Sequence, residues 1–92
     1  MMQNRSKPEI TAMMLESARM GATKTKMMYN AYLSHTQVQE YMKFLQKSDL
    51  LTYEKDTQLY RPTEKGLKFV NLLNALGEIV PLSNPENYNI ES

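Results

Sequence analysis

Cysteine is absent from this chain, which excludes a disulfide framework, a thiolate zinc site and a cysteine nucleophile. Histidine occurs once, at His35, too few for a zinc site that takes three or four ligands. Nothing in the sequence sets a nucleophile beside His35 as in a catalytic triad. The three glycines, Gly21, Gly66 and Gly77, do not make a loop that cradles phosphate. No apolar run approaches the roughly 18 residues of a membrane-spanning helix. The stretch Met1–Lys7 lacks the apolar core of a signal peptide. These absences predict a chain with no catalytic residue, no cofactor and no metal, at a cytoplasmic address.

An excess of charge is lacking too. Eleven Lys and Arg meet ten Asp and Glu, for a net charge of +1, so the composition is not histone-like. The charge is nevertheless divided along the chain. Residues 1–48 carry seven basic side chains (Arg5, Lys7, Arg19, Lys24, Lys26, Lys43, Lys47) against Glu9, Glu16 and Glu40. Residues 49–92 carry four basic side chains against seven acids. A near-neutral protein divided in this way can still present a face that binds a polyanion. With 92 residues, 41% of them hydrophobic, the chain suits one globular domain.

Four helices and one hairpin follow from the pattern. Ser6-Lys7-Pro8-Glu9 is a capping box with proline in the first turn, and it opens a helix over about 8–20. Ile10, Met13, Met14, Ser17 and Ala18 fall on one face of it, and Gly21 stops it. Thr23 caps a short second helix that reaches Ala31, with Met27, Met28 and Ala31 on its apolar side. Tyr32-Leu33 breaks the pattern. Ser34 caps a third helix over 34–48, which turns Val38, Tyr41, Met42 and Leu45 inward. The period then changes. Leu50–Glu54 and Gln58–Arg61 read as short strands around the turn Lys55-Asp56-Thr57, and Pro62 ends the second. Thr63 caps a fourth helix over about 63–80, stopped by Pro81. Residues 81–92 have no periodicity and are expected to form a flexible tail. Five of the eight methionines lie on apolar faces, where soft core filling explains them.

Helices two and three are joined by about three residues, and a hairpin follows at once. The expectation is a mainly α winged helix-turn-helix domain over 1–80.

Two runs carry a family resemblance. Gly21-Ala22-Thr23-Lys24-Thr25-Lys26-Met27-Met28-Tyr29 with Ala31-Tyr32-Leu33-Ser34 is one, and Tyr60-Arg61-Pro62-Thr63-Glu64-Lys65-Gly66 is the other. Together they resemble the small archaeal winged-helix DNA-binding proteins of the transcription-regulator and chromatin-associated kind, over about residues 4–80. The resemblance implies a dimer through the carboxy-terminal helix and a third helix that enters the major groove. The sequence departs from that family in having His35 where an aromatic such as Tyr is common. It also has Met where Leu or Ile is usual.

The third helix holds the candidate contacts. A major groove about 12 Å wide admits one helix, whose amino-terminal side chains reach base edges. Ser34, His35, Thr36 and Gln37 occupy that first turn, with Gln39 and Lys43 further along. Gln can pair with an adenine edge, Thr can touch a thymine methyl, and Lys43 can reach guanine or phosphate. Taken alone, these residues read better as the solvated face of an amphipathic helix; the helix-turn-helix and wing around them turn the balance to recognition. Lys24, Thr25 and Lys26, at the positive end of helix two, suit phosphate. Lys55 and Arg61 are the wing's basic residues, largely cancelled by Glu54 and Asp56.

On the fourth helix, Phe69, Leu72, Leu73, Leu76, Ile79 and Val80 make an apolar arc that Val70 extends. The arc is wider than the roughly 100° stripe that one domain core needs. Phe69, Leu72, Leu73, Leu76 and Ile79 are therefore expected at a two-fold dimer interface. The leading expectation is double-stranded DNA binding as a dimeric transcription regulator or nucleoid-associated protein. The alternative is a winged helix that serves only as a protein-interaction module.

Overall fold

The computed structural model describes residues 5–80. The elements run α1 (Lys7–Ser17), α2 (Lys24–Asn30), α3 (His35–Lys47), β1 (Leu51–Glu54), β2 (Leu59–Pro62) and α4 (Glu64–Gly77). Each helix begins at a hydroxyl. Ser6, Thr23, Ser34 and Thr63 adopt extended backbone, and their side chains accept from the backbone N–H groups of Glu9, Lys26, Gln37 and Gly66. This order is the winged helix-turn-helix that the sequence predicts.

The core gathers apolar side chains from the four helices and β1. Met14 and Leu15 from α1, Ala18 just after it, Met27 from α2, Val38 and Leu45 from α3, Leu51 from β1 and Val70 from α4 are all buried. On α1 the expected face is displaced. Thr11, Ala12 and Leu15 are buried, whereas Ile10, Met13 and Ser17 are only half-buried. The helix packs against α2, α4 and β2 at once, so it buries two adjoining stripes where an amphipathic surface helix buries one. The helix also ends earlier than expected. Ala18–Met20 form a turn, and Gly21 follows with φ +96, a left-handed conformation where a Cβ would meet Leu59 Cδ1 at 2.9 Å.

Helices α2 and α3 both end in Schellman motifs whose left-handed position is not glycine. After α2, Tyr32 has φ 55 and the Leu33 N–H bonds the Met28 carbonyl at 3.0 Å. After α3, Asp49 has φ 62 and the Leu50 N–H bonds the Leu45 carbonyl at 2.8 Å. In each case the following leucine drops into the core, the hydrophobic contact that accompanies this motif. Tyr32-Leu33 breaks the helical pattern for this reason.

The hairpin pairs Leu51 with Pro62 through Glu54 with Leu59, antiparallel. Its loop is Lys55–Gln58, one residue longer than expected. Gln58 takes φ 61 in place of a glycine, and its N–H bonds the Glu54 carbonyl at 2.7 Å. Tyr53 and Tyr60 face each other across the strands with ring centroids 4.9 Å apart. Ala22 extends the pairing by exchanging two backbone bonds with Tyr60, at 3.0 and 2.8 Å, which ties the segment before α2 to the wing.

The run Thr63–Gly66 locks α4 to the end of α3. The Thr63 hydroxyl donates to the Asp49 carbonyl at 2.7 Å while accepting from the Gly66 N–H at 3.0 Å. The Lys65 ammonium donates to the Ser48 carbonyl at 3.0 Å. That places a cation on the negative end of α3. Gly66 is buried with its Cα against the Leu50 carbonyl, where no Cβ fits.

Helix α4 differs from its expected arc. Its core line is Gly66 and Val70, with Phe69 and Leu73 half-buried beside them; Val70, expected only to extend the arc, is its deepest residue. The helix ends at Gly77, and Ile79 and Val80 lie in a turn beyond it. The backbone tightens there to bonds from Glu78 to Ala75 and from Ile79 to Leu76. The expected stop at Pro81 and the expected tail over 81–92 lie outside the described residues.

Candidate nucleic-acid interface

The face around Ser34–Lys43 stands open to solvent. Along α3, Val38, Met42 and Leu45 take the core side, which leaves His35, Thr36, Gln37, Gln39, Glu40, Lys43, Phe44, Gln46 and Lys47 exposed. The segregation follows from period 3.6: two buried residues four apart and a third after three more define one stripe. No described part of the chain lies over the opposite side of the helix, where Thr36 and Lys43 sit.

Two of the expected contacts are already engaged. The Ser34 hydroxyl accepts from the Gln37 N–H at 3.1 Å, and the Gln37 side-chain oxygen accepts from the Ser34 N–H at 2.9 Å. This is a capping box, and it turns the Gln37 side chain back over the helix end. Ser-x-x-Gln was readable as that signature. His35, Thr36, Gln39 and Lys43 are not drawn into that box, and they offer an imidazole, a methyl and hydroxyl, an amide and an ammonium to solvent.

At the amino end of α2, Thr25 and Lys26 are exposed and Lys24 is half-buried. Thr23 spends its side-chain oxygen on the Lys26 N–H. On the wing, Lys55 is exposed in the loop. Arg61 is held differently. Its Nε donates to the Glu54 carboxylate at 2.9 Å, and its guanidinium lies beside Gly21. That hydrogen bond, assisted by the Thr57 hydroxyl, holds the Glu54 carboxyl below its ordinary range. The wing's arginine is thus neutralised within the wing, as the cancelling charges in the sequence implied.

One basic residue entered the sequence reading only as a charge. Arg5 lies 26 residues before Ala31 in the chain, yet it donates to the Ala31 and Tyr32 carbonyls at the helix-turn-helix corner. No local pattern signals so distant a contact.

Among the described residues no cluster of three or more His, Asp or Glu could hold a metal ion, and no helix is long and apolar enough to cross a membrane. A comparison with curated proteins found no match. A family model described as winged helix-turn-helix matches residues 4–80. That span takes in both helices of the turn, the wing and α4, and the family is generally DNA-binding and typically non-enzymatic. The chain belongs to the winged helix-turn-helix family.

Proposed function

We propose that this protein binds double-stranded DNA as a dimeric transcription regulator or nucleoid-associated protein, with α3 in the major groove. The observation that carries this reading is the exposed α3 surface, on which Thr36 and Lys43 stand opposite the buried Val38–Met42–Leu45 stripe, with His35 and Gln39 exposed on its flank. Lys26 and Thr25 supply phosphate contacts, with Lys24 beside them; phosphate contacts set affinity and register, and base contacts set sequence preference. Lys55 contributes from the wing tip.

Dimerisation is part of the same reading. Leu72 is 66% exposed and Leu76 47% exposed on α4, and Ile79 beyond it is 78% exposed. Phe69 and Leu73 are partly buried against the domain core, so Leu72, Leu76 and Ile79 are the apolar surface offered to a second copy. One helix with few charges binds weakly. Two linked copies raise the effective concentration and read two half-sites about 34–36 Å apart.

The test is fluorescence anisotropy of a labelled duplex across a salt series. The logarithm of affinity should fall linearly with the logarithm of salt, by about 0.9 per phosphate neutralised. Replacing Lys24 and Lys26 with Ala should flatten that slope. Absence of duplex binding at low salt would leave the interaction-module alternative in its place.

A further inference from the structure

The two helices of the turn are joined only by Ala31–Ser34, and the middle of that link is Tyr32 in a left-handed conformation, φ 55. A bulky side chain rarely adopts such a backbone unless its surroundings hold it there. Here they do. The Arg5 guanidinium donates to two consecutive carbonyls, through Nη1 to Ala31 and through Nη2 to Tyr32 at 3.2 Å. Its Cζ also sits 5.8 Å from the centre of the Tyr32 ring. These oxygens belong to the negative end of α2, where a cation is favoured and a forked donor can serve two acceptors.

Arg5 is itself anchored. The next residue, Ser6, is the cap of α1, and its N–H bonds the Glu9 carboxylate at 3.0 Å. Arg5 Nη1 also lies 3.4 Å from Met13 Sδ on α1. A strap therefore runs from the residue before the α1 cap to the corner between α2 and α3. The charge of Arg5 is felt on α3 too, where it opposes the upward push of burial on the Tyr41 hydroxyl.

We infer that Arg5 is a positioning residue, which holds the Tyr32 corner from outside the helix-turn-helix and so fixes the direction in which α3 presents its exposed face. The inference rests on the DNA-binding reading for its functional consequence. Rotation at Tyr32 would swing α3 relative to α2, and apparent affinity falls in proportion to the fraction of molecules in the competent arrangement. The role is distinct from a phosphate contact, because both amino groups point at protein carbonyls.

The experiment compares Arg5→Ala, Arg5→Lys and the double variant Arg5→Ala with Tyr32→Gly. Each is measured by duplex anisotropy over a salt series and by amide exchange at Leu33, whose N–H closes the corner. For Arg5→Ala, duplex affinity should fall about tenfold with the salt slope unchanged, and Leu33 exchange should quicken by a similar factor. One ammonium cannot span both carbonyls, so Arg5→Lys should recover only part of the loss. Glycine accepts the left-handed corner without help, so Tyr32→Gly should restore affinity in the Arg5→Ala background. Should Arg5→Ala not fold, Arg5→Lys carries the same two readouts. Unchanged affinity and exchange would overturn the proposal. So would a slope shallower by about 0.9, which marks a lost phosphate contact. If the wild-type protein binds no duplex, the functional reading fails by itself; the strap then stands or falls on whether Leu33 exchange quickens.

Discussion

Gly66, in the first turn of α4, packs its Cα directly against the backbone carbonyl of Leu50, the residue that leads from α3 into the wing. Three neighbouring bonds, from Thr63 to Asp49 and Leu50 and from Lys65 to Ser48, hold the two segments at that distance. A methyl group has nowhere to go, because the obstacle is backbone and not the end of a flexible side chain. Gly66→Ala should destabilise the fold by about 1–3 kcal/mol, despite the better helix propensity of alanine. Chemical denaturation checks this, and a stabilised variant would show that α4 can shift from the wing.

Gln37 and Gln39 are two residues apart on α3 and should behave oppositely. Gln37 closes the capping box with Ser34, so Gln37→Ala should lower stability by about 0.5–1 kcal/mol and leave base preference intact. Gln39 is exposed, so Gln39→Ala should leave stability within about 0.5 kcal/mol and change which duplexes are preferred. Thermal unfolding together with selection from a random duplex library separates the two.

Glu54 engages the Nε of Arg61 at the edge of the wing. The folded-state pKa of Glu54 is depressed, so the stability it contributes is present above its unfolded pKa and is lost as pH falls through the depressed value. Glu54→Gln should weaken that acid-dependent contribution, seen as a shallower loss of wing stability on acidification. At neutral pH the same variant frees the guanidinium and removes a negative charge. It should raise duplex affinity and steepen the salt slope.

The exposed leucines of α4 separate the dimer from the fold. Leu72→Glu with Leu76→Glu should leave the helix content unchanged and yield a monomer by light scattering, because both side chains lie outside the core. Val70→Ala, at a site 1% exposed, should instead cost about 2 kcal/mol of stability in either assembly state. A wild-type monomer at micromolar concentration would remove the dimer from the account.

How much was legible depended on whether a residue's role was local. Ser6, Thr23, Ser34 and Thr63 were readable as caps because each bonds an N–H three residues ahead, and they set the starts of all four helices. The inward stripe of α3 was readable because a surface helix buries one side. On α1 the same reasoning misjudged the face, because a helix with neighbours on two sides has no single stripe. Tyr32, Asp49 and Gln58 occupy left-handed positions where glycine is usual, held by neighbouring hydrogen bonds and, at Tyr32 and Asp49, by the buried leucine that follows. At the candidate interface, the exposure of His35, Thr36, Gln39 and Lys43 followed from periodicity. The engagement of Arg61 by Glu54 and of the turn by Arg5 depends on contacts between elements, which no local pattern contains.

The most direct test is an NMR titration of isotope-labelled protein with a short duplex. The account predicts shift changes concentrated on His35, Thr36, Gln39 and Lys43, with a second group at Thr25 and Lys26. Changes confined to α1 and α4, or none up to duplex excess at low salt, would contradict it.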